Sequence, residues 1–587
     1  MADAAVSPQA DRDLASMAEA RALTRRARQA CTEMAEFSQE QIDQIVAACA
    51  EAATAHAEAF ARLAVDETGF GVYEDKIQKN LFASRTVYNF IKPMKTVGVV
   101  ARHEERRILE IAEPFGVVAA VVPSTNPTST TIYKILISLK ARCAIVISPH
   151  PSAVKCITRV AEVLDDAARR AGAPAGAINW MTAVSIEGTQ ELMKQRDVAV
   201  ILATGGMGLV RAAYSAGKPA YGVGPGNAPA YIERTADTRK AVRDIITGKT
   251  FDNGVLCSSE NSVVVDAPIA EQVKREFQAQ GGHFLSRADI EKVAKVLVTA
   301  QRLPNPLLVG KCAKVIADAC GVTVPDDTRV LLAELDGVGR DYPLSIEKLC
   351  PVLSFYVVRD WREGCERCKQ ILRYGGMGHT MSVHSQNDQV ILEFGLKKPA
   401  FRIVVNSPST FGSIGLSTGM DPAMTLGCGG YGGNITSDNI SPRHLLNIKR
   451  LAYETTSVPN RFERAAGAGK AGISAAPKRA SKSAGIPADV LNQRIEQFLG
   501  SRGYRATTAG APGAPFIGQH QAPPSATTAA AAAASGAPPL DFVCEEDVRL
   551  ALLAGRTLLV SERAIITPSA RELGEARRVF TVAPWRG

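Results

Sequence analysis

The 587-residue chain has no run of about 18 uninterrupted apolar residues, which argues against a membrane-spanning helix. Its opening, "MADAAVSPQADRDLASMAEARALTRR", is mixed and charged and lacks the apolar centre of a secretory signal. Charge of one sign is also scarce. The formal net charge is +9, which a basic tail can supply without a basic face, so nucleic acid is not an expected partner. The 12 cysteines are scattered irregularly, a usage that suits reduced thiols in a cytosol better than a disulfide framework. No internal repeat, phosphate P-loop, carboxylate pair or aromatic-basic stripe stands out, and no G-x-G-x-x-G follows the first strand-like run. One C-x-x-C, Cys365 and Cys368, falls in the helix-like "WREGCERCKQILRYGG". Zinc would need two further ligands at suitable spacing, so a helix face of small residues is the better reading and no metal is expected.

The length allows two or three domains and a large core. Residues up to about 460 read as one dense α/β body. "QEQIDQIVAACAEAATAHAEAFARLAVDET" has helical periodicity and good helix formers. "GVVAAVVPST", "CAIVISPHPS", "AINWMTA" and "VAVILATGG" read as buried strands, with helices "TSTTIYKILISLKA" and "AVKCITRVAEVLDDAARRAGA" between them. That alternation predicts a doubly wound parallel sheet, which binds ligands at the carboxyl ends of its strands. Those ends here are "PSTN", "SPHP", "ATGG" and "GVGPGN".

Past about residue 465 the composition turns to Ala, Gly, Pro and Ser, as flexible linkers require. Two patterned islands interrupt it. Residues 486–504 carry Leu491, Ile495, Phe498 and Leu499 on one apolar stripe of a short helix, with Gly500 as a stop. Residues 541–587 hold a helix-like "EEDVRLALLAG" and then "TLLVSERAIITPSA", read as two short strands; the segment is too short for a good core of its own.

Cys257, in "FDNGVLCSSENSVVVD", can be a packing residue or a reactive thiol, and its neighbourhood alone does not decide. The decision comes from several stretches taken in order: "VVPSTNPTSTTIYKILISLKARCAIVISPHPSA", "ATGGMGLVRAAYSAGKPAYGVGPGNAPAYIE", the Cys257 segment, "IEKLCPVLSFY", "GMGHTMSVHS", "RIVVNSPSTFGSIG" and "TLGCGGYGGNITSDNISPRHLLNIKR". Over residues 30–460 this series resembles the CoA-acylating branch of the aldehyde dehydrogenase superfamily, as found in bacterial microcompartments. The resemblance implies a doubly wound NAD-binding domain with N-terminal helices (1–240), an α/β catalytic domain (241–430), a return segment (431–465) and a flexible extension (466–587).

It also implies roles. Cys257 would be the nucleophile, and Asn126 with the Cys257 backbone N–H would hold the oxyanion. Thr204, Gly205 and Gly206, together with Ser148, Pro149, His150, Gly222, Val223, Gly224 and Glu347, would bind NAD. Thr125 and His379 would line the site, His379 being equally readable as a structural histidine. Hydrolytic relatives carry "ELGGK", whose glutamate helps water attack the thioester. Here the stretch is "YGVGPGN", with Gly222 near that glutamate's place, so coenzyme A is the implied acyl acceptor. The "KP" that holds the adenine ribose in those enzymes is replaced by "SPHP". The resemblance extends to the tail, where 486–504 would direct the enzyme into a protein shell or, alternatively, dock on its own core. A short-chain aldehyde substrate, a homo-oligomer and a cytoplasmic setting, in a microcompartment lumen, complete the expectation. Its rivals are a hydrolytic aldehyde dehydrogenase and a non-catalytic scaffold.

Overall fold

The computed structural model describes residues 8–458, 460–462, 493, 540–575 and 577–582. The chain divides into two compact units, Met1–Arg461 and Phe462–Gly587. The helical run expected near residue 39 begins at a reciprocal cap. Gln41 N–H donates to Ser38 Oγ at 3.3 Å and Ser38 N–H donates to Gln41 Oε1 at 2.9 Å, which satisfies two donors at the helix start. The run is interrupted at His56 and forms two helices, Gln39–Ala55 and Ala57–Thr68. A further helix, Tyr73–Leu81, follows.

Five parallel strands form the first sheet in the order Ile178–Trp180, Ile145–Pro149, Val117–Val122, Val198–Thr204, Ala220–Val223. Val117–Val122 is buried at every residue, which is why "VVAAVV" carries no polar alternation. The chain leaves this central strand toward one edge and later crosses to the other. The switch point is therefore at its carboxyl end, where Pro123–Asn126 lead into the helix Pro127–Lys140.

Seven parallel strands make the second sheet: Gly282–Phe284, Val330–Glu334, Val352–Val358, Glu260–Asp266, Ala228–Ile232, Gly378–His384 and Ala400–Val405, in that spatial order. Ala228–Ile232 already belongs here, so the change of sheet falls between Val223 and Ala228. The boundary expected at 240 lies inside the helix Thr238–Thr250. The physical reason is that "APAYI" is buried throughout and pairs with Glu260–Asp266, while the preceding "GPGN" is an irregular link between the two strands. Leu446–Ala452 returns to pair antiparallel with Ile108–Pro114, which in turn pairs with Gly98–His103.

In the second unit, three parallel strands, Leu540–Val543, Leu558–Ile566 and Phe580–Val582, alternate with helices Glu545–Leu553 and Pro568–Glu575. The stretch read as two strands is one strand of 9 residues. Val543, Val548, Ala551, Leu558, Val560, Ala570 and Val579 form a core within it, more than its length led us to expect. Of the expected extension, residues 466–539 lie outside the described residues apart from Gln493, and with them the expected helix at 486–504 with Leu491, Ile495, Phe498 and Leu499. Among the described residues no helix is long and apolar enough to cross a membrane.

Candidate active site

A cavity of about 670 Å3 opens at the switch point of the five-stranded sheet. Val121–Asn126, Pro149–Pro151, Thr204–Gly206 and Val223–Pro225 line one part of it, all at or just beyond strand ends. Val255, Cys257, Glu347 and Leu349 line another part. The first sheet thus supplies the bed, and the loops flanking Glu260–Asp266 and Val352–Val358 of the second sheet supply the thiol. Only three ionisable side chains line the cavity among the described residues: His150, Cys257 and Glu347.

Cys257 follows a constrained turn. Asp252 and Asn253 both hold left-handed backbone conformations, with φ of 49° and 52°. Such residues cost about 1–3 kcal/mol each and persist where surrounding bonds over-determine them. Here Asp252 N–H donates to Asp75 Oδ2 at 2.7 Å, Val72 N–H donates to Asp252 Oδ1 at 2.7 Å, and Asn253 Nδ2 donates to the Gly310 carbonyl at 2.9 Å. Cys257 keeps part of its surface open to the cavity. Its sulfur lies deep enough that burial pushes the thiol up to about 12; the nearby Glu347 and Cys428 add to the rise and the Arg402 guanidinium opposes it.

Asn126 stands at the start of Pro127–Lys140 but does not cap it. Its Oδ1 accepts from Lys79 Nζ at 2.6 Å and its Nδ2 donates to Thr125 Oγ1 at 3.2 Å. Glu347 lines the cavity and accepts from Gly226 N–H at 2.9 Å; burial pushes its carboxyl up to about 8.

Three expected residues sit elsewhere. Gly222 faces the helix Met207–Tyr214, where a β-carbon would lie 2.8 Å from Val210 Cγ1 and 3.0 Å from Tyr214 Oη. Ser148 is buried under the bed, its hydroxyl 2.8 Å from that of Thr189. His379 does not line the cavity as expected. It belongs to the wholly buried strand Gly378–His384, and a β-carbon on Gly226 would meet its ring at 3.1 Å and the Cys257 carbonyl oxygen at 2.2 Å. Burial holds His379 down at about 3, so the ring is neutral. The residues that sequence reasoning missed are Lys76, Lys79 and Asp252. The only signal of the two lysines was "VYEDKIQKN", which reads as an ordinary charged helix face, and Asp252 stood unremarked in "FDNGVLC".

The bed fits a dinucleotide. A volume of this size is typical of cofactor clefts. Thr204 Oγ1 is buried without a partner among the described residues, and nothing stands within 4 Å of the β-carbon positions of Gly206 and Gly208 at the start of Met207–Tyr214. Free backbone N–H groups at a helix start suit a pyrophosphate. Cys365 and Cys368 are buried on the helix Trp361–Tyr374, and no group of three or more His, Cys, Asp or Glu is placed to hold a metal among the described residues.

A parallel sheet with a dinucleotide-sized cleft at its switch point, closed by a thiol-bearing loop of a second parallel sheet, is the architecture of a two-sheet α/β enzyme. The chain belongs to the aldehyde dehydrogenase family. Residues 4–284 match that family's model. The succinate-semialdehyde dehydrogenase (acetylating) of Clostridium kluyveri is 39% identical over 432 residues, covering 73% of this chain and 95% of that protein. The bifunctional aldehyde-alcohol dehydrogenase AdhE of Escherichia coli is 42% identical over 442 residues, which are 74% of this chain and 50% of that one. The chain therefore spans about half the length of its AdhE-type relatives. An acetylating aldehyde dehydrogenase from Geobacillus thermoglucosidasius superposes with a TM-score of 0.75 at 49% identity, covering 76% of this chain and 99% of the other. A propionaldehyde dehydrogenase from the Clostridium phytofermentans fucose utilisation microcompartment does so with 0.67 at 28%, covering 73% and 96%.

Proposed function

We propose that the chain oxidises a short-chain aldehyde to its acyl-CoA with NAD+ and coenzyme A, through a thioacyl intermediate on Cys257. The packing at Gly222 carries the reading. Val210 and Tyr214 fill the space that a side chain there would need, so the position cannot hold a carboxylate to activate water. A thioester in such a site outlasts water and is resolved by a better nucleophile, a thiol. The acetylating activity in the names of two relatives supports the same conclusion.

In this mechanism the Cys257 thiolate attacks the aldehyde carbon, a C–S bond forms and the carbonyl π pair moves to oxygen. The oxyanion accepts hydrogen bonds from Asn126 Nδ2 and the Cys257 N–H. NAD+, when bound, supplies the hydride acceptor; Pro149, His150, the Thr204–Gly206 turn, Val223, Gly224 and Glu347 are the cavity residues that would hold it, backed by the buried Ser148. Loss of hydride from the former aldehyde carbon leaves a thioester on Cys257. The apolar wall of Val121, Val122, Val255 and Leu349 keeps water sparse around it. The coenzyme A thiolate then attacks the acyl carbon and Cys257 departs as thiolate. The family resemblance adds that NADH leaves before coenzyme A enters.

The test is NADH formation with and without coenzyme A. Turnover should need it, and without it about one NADH per site should appear in a burst. Sustained acid production without coenzyme A would establish the hydrolytic alternative, and a chain silent under every condition would be a scaffold.

The proposal extends to location and assembly. The stripe Leu491, Ile495, Phe498 and Leu499 between linker-like segments has the pattern of a helix that docks in an apolar groove. Together with the likeness to a microcompartment enzyme, it supports delivery of the enzyme to a protein shell. Residues 480–505 fused to an unrelated fluorescent protein should carry it to shells, and charged residues at 495 and 498 should stop this. Apolar side chains left open on Ala400–Val405 and Leu446–Ala452, among them Phe401 and Leu451, support a homo-oligomer, measurable by light scattering.

A further inference from the structure

Lys79 and Asp252 form a buried ion pair that reaches both partners of the proposed reaction. Lys79, on the helix Tyr73–Leu81, is 3% exposed, and Asp252 is fully buried. The Lys79 ammonium contacts Asp252 Oδ2 on one side and Asn126 Oδ1 on the other, the latter at 2.6 Å. Lys76, one turn earlier on the same helix, donates to Asp252 Oδ2 at 3.1 Å and lies 3.4 Å from the Thr125 carbonyl. The two carboxylate oxygens of Asp252 are thus saturated by Val72 N–H, Lys76 and Lys79, and Gly71 leaves them room. A β-carbon on Gly71 would lie 1.9 Å from Asp252 Oδ1.

We propose that Lys79, anchored on Asp252, is a positioning residue for the oxyanion site: it fixes the orientation of the Asn126 amide and ties that amide to the turn that presents Cys257. The inference rests on the function proposed above. An asparagine amide has two nearly isosteric orientations, one aiming oxygen and the other aiming nitrogen at a given partner. With Oδ1 against an ammonium, the flipped form would set donor against donor, so the flip is forbidden. Nδ2 must then face the other way, where one N–H goes to Thr125 Oγ1 and the second is left for a substrate oxygen. A cation on the amide oxygen also polarises the amide, which strengthens its N–H as a donor in a low-dielectric site. Asp252 completes the device because it lies five positions before Cys257 on the left-handed turn. Movement of the helix that carries Lys79 would be felt by donor and nucleophile together. Burial pushes the Lys79 ammonium down to about 8 and the Asp252 carboxylate works against that, so the pair needs the anion to keep the cation in place.

The test is a double-mutant cycle between Lys79→Met and Asn126→Ala, each enzyme measured for kcat, aldehyde KM, NAD+ affinity by calorimetry, and the rate of Cys257 alkylation. Lys79→Met should lower kcat by roughly tenfold to a hundredfold, the scale of a misplaced catalytic donor. Aldehyde KM, NAD+ affinity and alkylation rate should stay within about twofold of the parent. In the Asn126→Ala background the same substitution should cost almost nothing further, because the amide it positions is gone. Lys79→Arg, which keeps a cation against the amide oxygen, should recover part of the rate. Full multiplication of the two losses, or a parallel fall in NAD+ affinity and alkylation, would mean that Lys79 is a structural residue, and the inference would be overturned with the Asn126 assignment intact. An Asn126→Ala enzyme as fast as the parent would overturn the donor assignment itself, and the positioning role with it. Should Lys79→Met fail to fold although Asp252 keeps Lys76 as its partner, the cycle is run with Lys79→Gln, which is polar enough for the buried position and places no cation on Asn126 Oδ1.

Discussion

Cys257 rests in a setting that disfavours its own thiolate: burial, and then the neighbouring Glu347 and Cys428, push the thiol up, while Arg402 and a backbone hydrogen bond oppose them. A reactive cysteine ordinarily has its pKa lowered by a cation or a helix start. At Cys257 burial acts in the opposite direction. The sign of the pH effect follows. Because the thiolate is the reacting form, alkylation of Cys257 should keep rising as pH passes 9.0, the ordinary thiol midpoint; a plateau near neutrality in iodoacetamide kinetics would contradict this. Cys257→Ala should abolish aldehyde-dependent NADH formation and leave NAD+ binding near normal by calorimetry. For Asn126→Ala the expected loss is roughly a hundredfold or more in kcat, read by steady-state kinetics. That Cys257 and Asn126 share one cleft was legible in the sequence, because the order of motifs around them is distinctive. Lys79 and Asp252 were not. Nothing in "EDKIQKN" distinguishes two lysines that face an aspartate 176 and 173 positions away from two that face water.

At the level of elements, the helix Met207–Tyr214 decides what side chain position 222 can carry. Tyr214 Oη accepts from Gly222 N–H at 3.1 Å, so the helix is pinned onto the strand at the position where the resemblance to hydrolytic relatives would put a glutamate. Gly222→Glu should therefore not create a hydrolase. We expect a loss of about 1–3 kcal/mol in chemical denaturation, the usual cost of overpacking, with no coenzyme A-independent acid formation. A stable variant that produces acid steadily would show that the helix can yield. The sequence placed Gly222 in the right motif but could not say where the vacant side-chain position points, since a strand residue's facing depends on register and on the helix laid over it. His379 makes the same point from the opposite direction. "GMGHTMSVHS" resembles a site segment, yet strands on both sides of Gly378–His384 bury the ring beneath Gly226.

For the molecule as a whole, the division at Arg461 separates the family fold from everything after it. The first unit contains both large sheets, the cleft and the returning strand Leu446–Ala452, and so has what the proposed chemistry needs. A chain ending at residue 461 should keep its thermal transition and its coenzyme A-dependent NADH formation, checked by circular dichroism and by rate. Loss of either would mean that the second unit is needed for catalysis. That second unit, with its own parallel sheet and core, should in turn give dispersed amide resonances when residues 538–587 are made alone; collapsed resonances would refute its independence.

By itself the sequence determined the class of fold, the alternation of buried strands and helices, the strand ends that form the cleft, and a cysteine that lies at that cleft. Each of these is written locally, in runs of apolar residues, in turn chemistry, or in a motif short enough to read along the chain. Only the tertiary structure decided where one sheet gives way to the next, that Gly222 is walled in, that His379 is beneath the site, and that Lys79 joins Asn126 to the Cys257 turn. Those facts depend on which distant residues are brought together and which are deprived of water. No local pattern encodes such a pairing, because a lysine on a helix has the same letter and the same spacing whether it meets solvent or a buried carboxylate.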